Sequence, residues 1–300
     1  VEELRIYLIS LGQPLPHGIK VFLSAAWDVW TSPWLWGLIL VVLVWERIRP
    51  VDPLQPMFSA GFFQDLLWFW FEILLGVTLV PFVAGALAWI YDDCWGGPRF
   101  HLSQGWPLAV AVLVGVLLVD LLHYLKHFCM HHFAHTLWHF HAIHHSQREM
   151  NLWTDRRQHL LEYILTQMVV LFPLTVLGLK PYAVMGTAAI SNLHALFVHA
   201  NIRTNLGWLG LVVVSPQYHR IHHSIERQHF DKNFGAVFTV WDRLFGTLYH
   251  GRHEYPATGV KDVEFPPPRT FSPAGWLASF FRQLGYPFAR LRGSKQAQTH

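Results

Sequence analysis

The sequence predicts an all-α integral membrane protein, with about four to five transmembrane or re-entrant helices and a cytoplasmic, histidine-rich helical cap. Three observations predict it. Hydrophobic residues make up 52% of the 300 positions and charged residues only 14%, against roughly a quarter charged in soluble domains. Several apolar runs approach the ~20 residues that a helix needs to cross a bilayer. The polar stretches beyond them are dominated by histidine, with 21 residues against 22 lysines and arginines together.

The runs can be taken in order. The first, Pro33–Trp45, extends back towards Val21 and stops at Glu46-Arg-Ile-Arg-Pro50. The second, Leu66–Ile90, carries Glu72 and Pro81, and the third, Trp106–Leu122, carries Asp120 near its end. Tyr163–Leu179 and Tyr182–Val198, separated by Lys180-Pro181, read as a helical hairpin that spans or dips in and returns. A short apolar piece, Leu206–Val214, precedes the last histidine block.

The chain therefore divides into an N-terminal segment with three spans (1–122), a histidine-rich region containing the hairpin 163–198 (123–255), and a tail (256–300). The tail is proline-rich and then basic, which suits a segment lying on the membrane surface or partly disordered. Basic residues gather at Arg47, Arg49, Lys126, Arg148, Arg156, Arg157 and in the tail, whereas Tyr91–Gly105 holds one arginine, Arg99. The positive-inside bias puts both histidine blocks and the tail on the cytoplasmic side, with Tyr91–Gly105 opposite. The first twenty residues lack a basic segment ahead of an apolar core and cleavage site, so no cleaved signal peptide is expected.

Composition also excludes classes. The net charge is +3, and no Lys/Arg run alternates with exposed aromatics, which sets nucleic-acid binding aside. Cys94 and Cys129 form no CxxC pair and cannot anchor an iron–sulfur cluster or an all-cysteine zinc site.

The histidines fall into a pattern. His123, His127, His131 and His135 recur every four residues, so on a helix neighbours share one face. His141, His144 and His145 form an HxxHH triplet, and His219, His222 and His223 repeat it. One HxxxH pair with two such triplets gives eight imidazoles, more than the three or four one zinc ion takes. Two metals with open positions suit that number. The sequence holds no HExxH, only one ExxH at Glu226–His229, and no DxDxDG loop, which removes zincin, ferritin-like and EF-hand sites.

HxxxH followed by two HxxHH motifs around membrane spans resembles the fatty acid hydroxylase/sterol desaturase superfamily of integral-membrane non-haem di-iron oxygenases. Further elements of the resemblance are Arg157-Gln-His159-Leu-Leu-Glu162, Phe197-Val-His199-Ala-Asn201, Asp231-Lys-Asn-Phe-Gly235 and Trp241-Asp-Arg-Leu-Phe-Gly-Thr247. It covers about Asp120 to Thr247 and departs from the family pattern at Phe128 and Leu160. Members of that superfamily carry an Asp seven residues before the first ligand histidine, which Asp120 and His127 match, so the resemblance implies His127 and His131 as the HxxxH pair, with His123 as the alternative to His131.

The resemblance implies a dinuclear iron site held by His127, His131, His141, His144, His145, His219, His222 and His223. His159 and His199 are either further ligands or hydrogen-bonding neighbours of the ligands. Asp120, Glu162, Asn201, Asp231 and Asp242 are expected to receive the second N–H of ligand imidazoles; ion pairs with Arg157 or Arg243 are the alternative. His132, His135 and His139 read as bystanders.

Imidazole spacing alone does not name the metal; iron and O2 as co-substrate follow from the resemblance. The implied reaction inserts oxygen into an unactivated C–H bond of a fatty acyl, sterol or related lipid. A desaturase of the same superfamily is the alternative, and a haem protein or a non-catalytic metal-binding membrane protein the alternative from another class. Electrons would come from a cytochrome b5-like, ferredoxin-like or reductase partner, because the chain carries no flavin, haem or iron–sulfur motif.

Overall fold

The computed structural model describes residues 31–90, 100, 103–133, 135–179, 181–261, 265 and 272–293. The signal-peptide reading of the N-terminus and most of the predicted non-cytoplasmic loop, with Cys94 and Arg99, lie outside the described residues. Among the described residues every regular element is a helix. There are only isolated bridges, such as Val213 with Phe238 and Ser224 with Thr258.

The long helices are α1 (Pro33–Ile48), α2 (Ala60–Trp89) and α3 (Leu108–His132). The short α4 (Leu137–His145) follows, then the hairpin α5 (Leu160–Leu177) and α6 (Pro181–His199). Beyond it come α7 (Pro216–His222), α8 (Val240–Phe245) and α9 (Pro273–Gly293). Helix α3 is long and apolar enough to cross a membrane, with a mean hydropathy of 2.4 over its most apolar stretch. It runs ten residues past the predicted end at Leu122, because His123–His132 keep helical spacing and carry the HxxxH pair up to the cap.

Small residues let α3 and α6 approach. A Cβ at Gly115 would collide with the Thr187 hydroxyl, and one at Gly186 would meet Val112 Cγ2 at 2.7 Å; such contacts are typical of packing between apolar helices. Helix α1 seals the other side through Ile39, which joins Phe69, Trp153, Leu196 and Ile202 in one apolar cluster. The outward faces stay apolar, with Trp34, Leu40, Phe82 and Leu113 all more than half exposed.

Local chemistry sets the short elements. Ser215 caps α7 by accepting from Tyr218 N at 3.1 Å, with Pro216 opening the helix, as a helix start favours. Asn151 and Thr154 cap the 3-10 turn Leu152–Arg156 reciprocally. Part of the tail is helical. Its residues 273–293 form α9, whose Trp276, Phe280, Gln283 and Pro287 repeat at helical spacing. Trp276 stacks on Phe63 at 4.7 Å, and Trp68 donates to Gln283 at 3.0 Å.

One buried ion pair locks the cap to α2. Asp65 is fully buried and accepts from Arg157 Nη1, Gln147 Nε2, Asn151 Nδ2 and Thr154 Oγ1, each at 2.8 Å. Removing one partner of such a pair strands a buried charge and costs about 3–5 kcal/mol. Asp65→Ala is therefore expected to lower thermal stability in detergent by about that amount; a loss below ~1 kcal/mol would show that the pair does not hold the cap.

Candidate metal centre

Nine histidines converge at the His132 end of α3, in two groups. The first contains His127 and His131 from α3, His141 and His145 from α4, and His222 from α7. The second contains His144 from α4, His199 from the end of α6, and His219 and His223 from α7 and its C-terminus. Within each group the candidate ligand atoms lie within 4.8 Å of one another.

Helix geometry explains the division. Residues four apart are rotated by about 40°, whereas adjacent residues are rotated by about 100°. His141 and His145 thus face the first group while His144 faces the second. The α7 triplet is arranged the other way, with His219 and His223 in the second group and His222 in the first. Each HxxHH motif therefore feeds both groups, which abut where the His145 and His223 rings stack with centroids 4.3 Å apart.

The contacts within the groups do not suit hydrogen bonding alone. His145 Nε2 lies 3.1 Å from the Nε2 atoms of His131, His141 and His222. A neutral imidazole carries one N–H, so most of these contacts would set lone pair against lone pair. In the second group the Nε2 separations run His144–His199 3.2 Å, His199–His219 2.9 Å and His219–His223 3.1 Å. Nitrogens bound at 2.0–2.1 Å and at right angles around one ion sit about 3.0 Å apart. His127 Nε2 is buried without a hydrogen-bond partner, its ring 4.3 Å from that of His222. The residues fit two metal ions.

Protonation agrees. Burial, reinforced by neighbouring histidines, pushes His144, His145, His219, His222 and His223 well below the usual imidazole pKa of 6.5. They stay neutral, the form that binds metals.

Five of the outward nitrogens have partners, whereas Nδ1 of His144, His219 and His223 is buried without a hydrogen-bond partner. His127 and His222 donate Nδ1–H to the carbonyls of Phe234 at 3.1 Å and Lys232 at 2.8 Å. His141 donates to Glu162 at 2.9 Å and His199 to the Ala195 carbonyl at 2.7 Å, while His131 Nδ1 lies 3.4 Å from Asp231. Such bonds fix each ring so that Nε2 points inward. The loop supplying the two carbonyls is shaped by Asp231 (φ 57°) and Asn233 (φ 61°), residue types that tolerate the left-handed region. Gly235 follows, where a Cβ would lie 2.5 Å from the Phe238 carbonyl oxygen.

Among the predicted neighbours, Glu162 and Asp231 face imidazoles of the first group directly. Asp120 instead accepts from the backbone of Ala236, Val237 and Phe238 and from Trp241 Nε1. Asp242 accepts from Phe234 N, Gly235 N, Tyr218 and Thr247. Both hold the carbonyl-bearing loop. Asn201 ties α6 to the first loop through Asp52, at 3.1 Å in both directions. His159 lies outside both groups, bonded to the Leu284 carbonyl and packed on Phe140. His123 lines a neighbouring cavity without joining either group.

Sequence reasoning missed Asp65 and the two carbonyl anchors. An acid at the edge of an apolar run was a usable signal for the first; a backbone carbonyl leaves none. If these histidines hold the metals, His144→Ala should lose a large share of bound metal while remaining membrane-inserted, and His159→Ala should keep the wild-type content. Elemental analysis of the purified variants checks this, and full metal content in His144→Ala would contradict it.

Residues 112–247 match the family model described as fatty acid hydroxylase. The chain is 29% identical to the ornithine lipid hydroxylase OlsE of Rhizobium tropici over 276 residues, covering 89% of this chain and 78% of that protein. It is 34% identical over 119 residues to the alkylglycerol monooxygenase of Homo sapiens, covering 40% of this chain and 26% of that protein. Identity to the Danio rerio alkylglycerol monooxygenase is 31% over 227 residues, 72% of this chain and 46% of that protein. The chain thus spans less than half of the alkylglycerol monooxygenases it matches. No solved structure matches it. The matched segment, a fatty acid hydroxylase domain, contains all nine converging histidines.

Proposed function

We propose that the chain is a membrane-embedded lipid hydroxylase whose two histidine groups hold a pair of iron ions. The observation that carries this reading is the convergence of nine Nε2-bearing imidazoles into two adjoining groups, within a fatty acid hydroxylase segment. An iron pair would supply the redox chemistry needed to reduce O2, which zinc lacks. The overall balance is R–H + O2 + 2 e⁻ + 2 H⁺ → R–OH + H2O. Both electrons come from a separate donor of the cytochrome b5-like, ferredoxin-like or reductase class.

The chain's own residues have defined tasks. His127, His131, His141, His145 and His222 would hold one ion, and His144, His199, His219 and His223 the other. Glu162, bonded to His141 and to Lys126 at 3.2 Å, orients one ligand and balances charge next to the site. Buried walls keep water from the oxidising centre. Four to five membrane segments, with the histidines on the cytoplasmic side, fit the apolar outward faces and the placement of the basic residues. The relatives named as an ornithine lipid hydroxylase and as alkylglycerol monooxygenases support a polar lipid as substrate.

The test is lipid mass spectrometry of cells making the wild type or the His144→Ala variant at matched levels. The wild type is expected to convert a membrane lipid to a form with one added oxygen, and the variant to leave it unchanged. An iron-loaded wild type that alters no lipid, or product undiminished in the variant, would contradict the proposal.

A further inference from the structure

Two segments outside the long helices are joined into one unit with an apolar surface. Residues 206–214 follow α6, and residues 236–245 lead into α8 and include it. Val213 bridges Phe238, Val214 N donates to the Val237 carbonyl and Thr239 N to the Val212 carbonyl, both at 2.9 Å. Arg243 Nη2 donates to the Leu211 carbonyl at 2.9 Å, which sets α8 beside the turn Leu209–Leu211. In this unit Trp208 and Leu244 are 78% and 68% exposed, and Leu209, Leu211, Val212 and Phe245 between 40% and 55%. Single exposed apolar residues are ordinary, but a group of this size marks a contact surface.

Helix α3 gives the height of that surface. Crossing the hydrocarbon core takes ~20 helical residues, so a span starting at Leu108 reaches the far boundary near His127. Phe245 stacks on Tyr124 with ring centroids 5.2 Å apart, and Tyr124 lies about 5 Å before that boundary at 1.5 Å per residue. Leu113 and Leu125 on α3 are exposed as well, so the apolar outside of the helix continues up to the level of α8.

The backbone is built for the same place. Irregular chain survives at membrane depth only where its polar groups are satisfied within the protein. The amides of Leu209, Leu211, Val212, Val213, Val214 and Thr239 all donate to carbonyls within the unit. Those of Ala236, Val237 and Phe238 donate to Asp120, at 2.8–3.1 Å. Water-facing loops have no need of such complete pairing.

We propose that this unit is a seat sunk into one phospholipid leaflet, with its apolar side chains among the first acyl carbons. Arg243, exposed among them, runs its stem along the apolar surface and turns its charge towards the lipid phosphates. The seat fixes the height of the histidine cage: His127 stands at the boundary and His131 about 6 Å beyond it. A lipid can then reach the metal centre sideways from the leaflet without crossing water. The inference rests on the reading of α3 as a membrane span, and on neither the metal nor the reaction.

The experiment uses the full chain in phospholipid nanodiscs. Leu113, Trp208 and Leu244 are replaced one at a time by p-acetylphenylalanine carrying a nitroxide; all three are exposed, where substitution perturbs folding least. Power-saturation electron paramagnetic resonance compares collisions with oxygen, which concentrates in lipid, and with a water-soluble nickel chelate. Labels at 208 and 244 are expected to favour oxygen and to lie about 5–10 Å into the headgroup/acyl boundary. Labels there that favour the nickel chelate overturn the seat. Labels shielded from both reagents also overturn it, since a second copy or a partner protein would then cover the surface. The label at 113 separates the two failures: oxygen preference there with water exposure at 208 and 244 counts against the seat alone, whereas water exposure at all three counts against the span as well.

Discussion

A metal-binding imidazole must place its second N–H somewhere, and the surroundings of that N–H decide where the first nitrogen points. Much of this structure follows from that constraint. The Phe234 and Lys232 carbonyls and the Glu162 carboxylate each hold one ring. The carbonyls are aimed by a loop that Asp120 clamps to α3 and Asp242 clamps to α7 through Tyr218. Asp120 and Asp242, which join neither histidine group, thus determine where the anchored imidazoles sit.

The helices extend the same logic. Helix α3 carries two histidines out of an apolar run, and α6 ends on a third. The close Gly115–Thr187 approach of these helices sets the distance between their ends. The Asp65–Arg157 pair holds the turn 152–156 and α4 down against α2. Since Arg157 also donates to the Ile143 carbonyl and Ser146 Oγ, this pair steadies the first HxxHH helix from behind.

Helix period and motif spacing made much of this legible. The HxxxH pair and both triplets follow from residues four apart sharing a face, and the apolar runs locate α1, α2, α3, α5 and α6. The division of each triplet between two groups was not read from the sequence, although it follows from the ~100° step between neighbours. Asp120 and Asp242 stood out as charges near the ligands, but their partners are backbone amides brought in by the fold, over a hundred residues away for Asp120. The carbonyl anchors are invisible to any residue-type reading. Helix α9 was obscured by the proline-rich and basic composition around it; its docking depends on Trp68 and Phe63, distant in the chain.

The central claim is that two ions sit side by side, one in each histidine group. Anomalous diffraction at the iron absorption edge from crystals of the iron-loaded protein tests it directly. The account predicts two peaks, one among the Nε2 atoms of His127, His131, His141, His145 and His222, the other among those of His144, His199, His219 and His223. A single peak, or peaks away from these nitrogens, would contradict it.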